Sequence, residues 1–426
     1  MTDKASIRNA QSLWQLRIWY VVTWCLAVPL RLVWRISHGR MGADPQRFGE
    51  RLGRPSRSVQ GPVVWVHAAS LGEVAQTGPL ARHFAQRGTT LLVTTTTQAG
   101  ADWVAQNVPE AVHQFAPMDT GAAVRGFLDA WDMRAAIFVE GDFAPRLTLA
   151  AQERGIPMAL LNARHSRTRA RLPGVFAALL AGFALITCRS ETVAASIRAL
   201  GVPEARLKVL PDLRIAAPKL PCSEDGLNEM QAQIGTRPVW LAASTHQADE
   251  AAVLAAHQAV RDAVPDGLLI VAPRHPRRGA PLEAVAQAQG FHVARRTQGE
   301  TLSPGTHIYI ADTLGELGVF LSLAPVTFLG GSFGDEGGHN PYEPVHFGTA
   351  VLTGPRVKNF ADAYDALRRA GAAEVVHDPA ELGPRVVSLM TEGHARTMGQ
   401  AGARFIEAGH ISLADTFAAL EEALGV

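Results

Sequence analysis

The sequence predicts an α/β protein: two Rossmann-like, doubly wound domains facing a cleft, with an N-terminal membrane-associated helix ahead of them. Three observations predict it. Short apolar runs alternate with longer amphipathic stretches from Gly61 onward, a proline-rich aperiodic break interrupts them at about residues 202 to 237, and an aromatic apolar run flanked by arginines precedes them all. The division that follows is a membrane-associated segment at 1–40, a first domain at 41–205, a linker at 206–237, a second domain at 238–405 and a C-terminal helix at 406–426.

In the N-terminal segment, Ile18 to Leu30 carries no charge for 13 residues, with Arg17 before it and Arg31 and Arg35 after it. A transmembrane helix needs roughly 20 apolar residues, so this run is short of a span. An interfacial helix needs one apolar face, aromatic residues at headgroup depth and cations for lipid phosphates. Trp14, Trp19, Tyr20, Trp24 and Trp34 meet that need. Lys4, Arg8 and Arg17 would suit the basic start of a signal peptide, but LRLVWRISHGR after the apolar run has no small-residue cleavage site. The segment is expected to remain on the chain and to face a membrane.

The first domain shows four strand candidates, PVVWVHAAS, TTLLVTTTT, AAIFVE and MALLNAR, each followed by an alanine-rich helical pattern. After the break, marked by Pro211, Pro218 and Pro221, the rhythm restarts with PVWLAAST, GLLIVAPR, THIYIAD, PVTFLGGS and TAVLTG. Strands alternating with helices make a parallel sheet, and ligands of open parallel sheets bind where the strands end, so the turns after these runs hold the chemistry.

Composition narrows the class. Of 426 residues 47% are hydrophobic and 19% charged, a balance that supports large buried cores and excludes a disordered chain. A net charge of +1 offers no case for a nucleic-acid binder. Its distribution is uneven: residues 1–60 hold ten Lys or Arg against three Asp or Glu, leaving thirty against thirty-six in the rest. The basic end points at something anionic. Cys25, Cys188 and Cys222 are too scattered for a disulfide framework or a zinc site, and they suggest a reducing compartment for the catalytic body.

Among the strand-end motifs, GGSFGDEGGHNPYEP at 330–344 is the strongest. Its glycines, Gly331 among them, let backbone amides approach a phosphate, and Ser332, Asn340 and Glu343 add polar groups around a probable helix start. AASTH puts Ser244 and Thr245 at another strand-to-helix turn, where the same residues would serve equally as a helix cap. VAPRHPRR follows a third strand with Arg274 and His275, a cationic pair for an anion. In the first domain HAASLGEV sets Glu73 near a helix start, a position that also suits a simple cap. FVEGDFAPR adds the carboxylates Glu140 and Asp142, and NARHSRTRAR gathers Arg164, Arg167, Arg169 and Arg171 with His165; arginine clusters of this kind bind phosphorylated headgroups or make a solvated face. His67, His246, His275 and His339 lie on separate loops without metal-ligand spacing, and neither a P-loop nor a GxGxxG after the first strand occurs.

In this order, HAASLGEV, NAR-S, AASTH, APRHP, DTLGEL, GGSFGDEGGHNPYEP and GPRVKNF resemble the 3-deoxy-D-manno-oct-2-ulosonic acid (Kdo) transferases of lipopolysaccharide assembly, and the resemblance covers nearly the whole chain. It implies a GT-B fold and transfer of Kdo from CMP-Kdo to a lipid A precursor such as lipid IVA, with inversion and without a metal or other cofactor. By the same resemblance Glu73 is the general base. The second domain would hold CMP through Ser244, Thr245, Arg274, His275, the DTLGEL loop with Gly315 and Glu316, Gly331, Ser332, Asn340 and Glu343. Glu140, Asp142, Arg164, Arg167 and Arg169 would stand on the acceptor side. The implied partners are a CMP-activated acid sugar, a lipid A precursor and a membrane surface, with no nucleic acid. The implied location is the cytosolic face of the inner membrane. Two segments depart from the family pattern: EGDFAPR replaces ETELWPN, and LPDLRIAAP stands where a GNLKFD-like motif is usual, with Asp212 and Arg214 in place of its polar residues. A paralogue with another acid sugar or acceptor, a non-catalytic CMP-binding module and a UDP-dependent epimerase of the same architecture are the alternatives.

Overall fold

The computed structural model describes residues 4–40, 42–141, 143–164 and 166–426. Its contacts divide the chain into Met1–Pro218 with His410–Val426, and Lys219–Gly409. The first unit holds seven parallel strands: β1 (Val63–His67), β2 (Thr90–Thr95), β3 (Val112–Phe115), β4 (Met133–Val139), β5 (Met158–Ala163), β6 (Phe183–Cys188) and β7 (Leu207–Val209). Their order is β3-β2-β1-β4-β5-β6-β7. The second unit has β8 (Val239–Thr245), β9 (Leu268–Pro273), β10 (Val293–Arg295), β11 (Ile308–Ile310), β12 (Val326–Leu329), β13 (Ala350–Thr353) and β14 (Ala373–Val375), also parallel, in the order β10-β11-β9-β8-β12-β13-β14. The order reverses at β1/β4 in one sheet and at β8/β12 in the other. At such a switch point the two following connections leave to opposite faces and open a crevice at the strand ends.

Both faces of each sheet are covered, so central strands read as unbroken apolar runs rather than alternating ones. In β1 every residue of VVWVH is buried. Val63 and Trp65 face one core, where Trp65 meets Phe127 and Phe138 edge to face at 5.2 and 5.1 Å. Val64 and Val66 face another, shared with Leu80, Phe84 and, from the long helix His394–Leu424, Leu413 and Leu420. The strands that periodicity does not reveal are β3, β6, β7, β10 and β14. LKV, VAR and AEV are three-residue edges with too few positions for a pattern, VHQF mixes polar residues into the edge strand β3, and FALITC runs on from an apolar helix without a change of character.

Two expected boundaries differ. The stretch 206–237 is not an open linker: it supplies β7, a 3-10 turn at Leu213–Ala216 whose Leu213 and Ala216 join the first unit's core, and the helix Glu224–Ile234 capped by Ser223. Its prolines break periodicity without keeping the backbone out of the core. The C-terminal helix begins at His394 rather than 406, directly after Gly393, whose φ of 74° separates it from the helix before.

At the N-terminus, helix α1 (Lys4–Cys25) and helix α2 (Ala27–Arg40) follow each other. Among the described residues no single helix is long and apolar enough to cross a membrane, but Trp14–Cys25 and Ala27–Arg40 pass that test together, bent by 74°. α1 is fastened to the first unit. Arg146 donates to the Tyr20 carbonyl at 2.8 Å and lies over the Tyr20 ring at 3.9 Å, Trp19 Nε1 donates to Asp119 at 2.6 Å, and Leu16 packs on Val175 and Leu179. Outward, Trp14, Trp24, Val28 and Leu32 are 62% to 80% exposed.

Two core histidines are held neutral. In the first unit Arg47 donates to His113 Nδ1 at 2.7 Å, which leaves the Nε2 proton for Thr95 Oγ1 at 2.9 Å. In the second, Trp240 Nε1 donates to His257 Nδ1 at 3.2 Å while Nε2 faces the His307 carbonyl at 2.9 Å. Burial pushes both down to about 3, with the arginines beside each adding to the effect. An unfolded histidine titrates at about 6.5, so between the two values the unfolded chain binds protons that the folded one refuses, and stability falls as pH drops. Urea denaturation is expected to give a lower midpoint at pH 5 than at pH 7, with proton uptake on unfolding at pH 5; equal midpoints and no uptake would contradict this.

Candidate active site

At the first switch point β1 runs into the helix Leu71–Val74. Ser70 caps it, its hydroxyl accepting from Glu73 N at 3.3 Å, and the Glu73 carboxylate turns back to accept from Ala69 N at 2.7 Å. Glu73 is thereby fixed at the strand end and is only 4% exposed. One turn on, the Gln76 amide donates to Glu140 at 2.8 Å and accepts from Asn162 at 2.6 Å. Asn162 also donates to Asp212 at 2.7 Å, and Asp212 takes Arg214 at 2.6 Å and lies 3.6 Å from Arg189. Glu140 and Asn162 end the neighbouring strands β4 and β5 with φ of 59° and 60°. A left-handed backbone at a residue other than glycine costs roughly 1–3 kcal/mol and persists only where surroundings over-determine it, as this network does.

The arginine cluster divides by environment. Arg164 is exposed and pairs with Glu140 at 3.0 Å, and Arg167 and Arg171 are exposed on the helix Arg167–Arg171. Arg169 is buried, and its Nε and Nη1 find no hydrogen-bond partner among the described residues. Burial and the nearby Arg164 lower its pKa. Asp142 and His165 lie outside the described residues.

In the second unit β8 ends at Ser244, φ 52°, and Thr245, whose buried hydroxyl has no partner among the described residues. His246 caps the helix Gln247–Ala263 in a reciprocal box with Asp249. Asp249 is fully buried and accepts from His246 N at 2.9 Å, Gly331 N at 2.7 Å, Phe333 N at 3.1 Å and Ser332 N at 3.3 Å. The loop after β12 is thus wrapped on a carboxylate of the chain itself, so the amides of Gly331 and Ser332 do not face a ligand as their spacing suggests. Glycine is needed where the two turns touch: a Cβ on Gly330 would lie 2.7 Å from Thr245 Cα, and Gly331 has φ of 65°.

A cavity of about 210 Å³ opens beside these turns and brings together Ser244, Arg274, Gly315 and Glu343, with Pro273 and Leu314 as apolar wall. Burial raises the Glu343 pKa against the opposing effects of its bond from Asn340, 3.4 Å, and of Arg274. Asn340 also caps the following turn by accepting from Tyr342 N at 3.2 Å. The other residues expected on the donor side, Thr245, His275, Glu316, Gly331, Ser332 and Asn340, are not in its lining. Glu316 is tied to Arg296 at 2.8 Å, the Ser332 hydroxyl donates to Leu329 O at 2.9 Å, and exposed His275 stands edge-on to His246 with ring centroids 5.7 Å apart. His246 Nε2 is 2.9 Å from His339 Nε2, and burial, with help from His246 and Arg274, pushes His339 down to about 4. Among the described residues no group of three or more His, Cys, Asp or Glu is gathered as metal ligands would be. Gln76, Arg189 and Asp249 were not singled out in the sequence, although Asp249, three residues after a helix-capping His246, fits a capping-box spacing that could have been read.

Residues 46–217 match the family model described as 3-deoxy-D-manno-octulosonic-acid transferase. The chain is 33% identical over 370 residues to a probable mitochondrial 3-deoxy-D-manno-octulosonic acid transferase of Arabidopsis thaliana, covering 83% of this chain and 82% of that protein. It is 32% identical over 397 residues to the 3-deoxy-D-manno-octulosonic acid transferase of Bordetella pertussis, covering 89% and 92%. In fold it is similar to a glycosyltransferase from Rickettsia africae, with a TM-score of 0.59, 10% identity and coverage of 87% and 99%. Replacing Asp249 by Ala strands four N–H groups, two of them buried and two partly buried, and is expected to cost roughly 2–5 kcal/mol in a denaturation titration; an unchanged midpoint would show that the loop holds its shape without that carboxylate.

Proposed function

The chain belongs to the 3-deoxy-D-manno-octulosonic acid transferase family, and from that premise we propose that it takes Kdo from CMP-Kdo and joins it, with inversion, to a lipid A precursor. It is a glycosyltransferase of lipopolysaccharide synthesis, and its two parallel seven-stranded sheets are those of the GT-B class. The observation that carries the finer reading is Glu73: a buried carboxylate oriented by Ala69 N–H at the switch point of the segment matched by the family model. Its role in this reading is to accept the proton of the acceptor hydroxyl as that oxygen attacks. General-base assistance of this kind contributes roughly 10² to 10⁴ in rate.

The donor carbon is a tertiary ketosidic centre that gains positive character as CMP departs, so the other requirement is to stabilise the leaving phosphate. Arg274 and Ser244 at the second unit's cavity support that role, with Thr245 and Asn340 beside them. A well-aimed donor in a dry site contributes about 3–4 kcal/mol to such a step. Glu343, kept protonated more readily by burial, suits a hydroxyl of the nucleotide as partner. On the acceptor side, Arg164 and Arg167 are exposed cations for a phosphorylated headgroup. The exposed tryptophans and arginines of α1 and α2 support attachment to an anionic membrane surface, which for this reaction is the cytosolic face of the inner membrane.

Incubation with CMP-Kdo and lipid IVA, followed by mass spectrometry, tests the whole reading; Kdo-bearing lipid is the expected product. The Glu73→Ala variant is expected to lose roughly 10² to 10⁴ in turnover while binding CMP as the parent does. Turnover at the parent rate would remove Glu73 from the role of base. Replacing Arg164 and Arg167 together by Ala is expected to raise the KM for lipid IVA and to leave that for CMP-Kdo unchanged.

A further inference from the structure

The first unit carries a second recess, of about 420 Å³, at the carboxyl ends of β1 to β4, walled by Trp34, Ala69, Met118, Phe143, Ala144 and Leu147. Polar residues also touch it, but many of their hydrogen-bonding groups are already engaged within the protein. Arg51 donates to His38 at 3.1 Å and to the Thr96 carbonyl at 2.7 Å, with its planar face 4.9 Å from the Trp34 ring and 4.7 Å from that of Phe115. Asp119 accepts from Trp19 Nε1 at 2.6 Å, Leu147 N at 2.9 Å and Arg146 N at 3.1 Å. The Thr96 hydroxyl donates to Ala69 O at 2.6 Å, and His67 Nδ1 is 3.0 Å from the Thr94 hydroxyl. A polar occupant would recover few hydrogen bonds for the hydration it sheds, whereas a hydrocarbon gains about 25 cal/mol for each Å² it withdraws from water.

Two features of the walls say which hydrocarbon. Trp34 belongs to α2, whose Val28, Leu32, Val33 and Ile36 are 50% to 80% exposed, so an outward apolar strip lies on the same helix as the recess wall. Ala69, elsewhere in the lining, is the residue whose N–H holds the Glu73 carboxylate at 2.7 Å. An occupant that is apolar within the recess and carries its reactive end at Glu73 is a lipid. We propose that this recess receives one fatty acyl chain of the acceptor, and so aligns the headgroup hydroxyl with Glu73. The proposal rests on the transferase reading of Glu73, and it adds a length- and branching-sensitive acyl subsite to it.

The test uses the full-length protein, cis-parinaric acid as a fluorescent acyl probe, and Ala144→Phe, which fills the recess from a residue whose side chain makes no polar contact. The parent is expected to bind the probe and to release it to lipid IVA but not to the fully deacylated headgroup. Ala144→Phe is expected to weaken probe binding roughly tenfold and to raise the KM for lipid IVA by a similar factor, with the KM for CMP-Kdo unchanged. Ala144→Ser, which keeps the recess open, should behave as the parent and controls for folding. Probe binding that persists in Ala144→Phe comes from the exposed faces of α1 and α2 and overturns the proposal, as does displacement by the deacylated headgroup. If instead the probe behaves as expected while no Kdo is transferred by the parent, the recess is an acyl site and the transferase reading is what fails.

Discussion

In each unit the helix that follows the first strand of the sheet begins with a buried carboxylate at its third position, and the turns around it take their shape from that group. A helix start leaves N–H groups unpaired, and an ionised oxygen is their strongest acceptor. Glu73 turns back to Ala69, two residues past the end of its own strand. Asp249 reaches further, gathering N–H groups from its own cap and from the loop after β12. Because β8 and β12 are neighbours, one side chain locks two strand ends together, and only glycine at 330 lets the second chain come close enough. The same position therefore does two jobs: in the second unit it is consumed in holding a loop, and in the first it stands where chemistry is proposed.

Much of this was open to inspection in the chain. Central strands with both faces covered have to be continuous apolar runs, and VVWVH, LLIVAP and VTFL declare themselves. The edge strands do not, since three residues, one of them charged, carry no period. Site residues followed the same division. Motifs at strand ends placed Glu73, Glu140, Ser244, Arg274 and Glu343 where the candidate sites lie, because the ends of parallel strands are where such folds hold ligands. What local spacing hid was direction. Glycines at 330 and 331 read as a cradle for a phosphate, yet the neighbouring amides point at Asp249, and Glu316 is turned to Arg296. A partner that is distant in sequence decides those orientations.

The two segments that depart from the family pattern gain a physical account in the fold. Arg146, which closes EGDFAPR where the pattern ends in Asn, donates to the Tyr20 carbonyl and to the Thr23 hydroxyl, so the substitution fastens α1 to the body of the first unit. LPDLRIAAP supplies Asp212 and Arg214, which close the buried chain from Gln76 and Glu140 through Asn162. Partly satisfied polar networks are unstable and fully connected ones are rigid, so the strained ends of β4 and β5 depend on every member of this one.

The helix His394–Leu424 carries a consequence for the order in which the molecule assembles. Its Leu413, Ala419, Leu420 and Leu424 complete a core whose other members lie before residue 217. A ribosome that has polymerised the whole of Met1–Pro218 has therefore made an unsealed sheet, one face of which waits for the last residues to emerge. The contiguous stretch Lys219–Gly409, although synthesised later, has all of its own strands in hand before the earlier body can close. The first unit's core is therefore complete only once the C-terminal helix has been made.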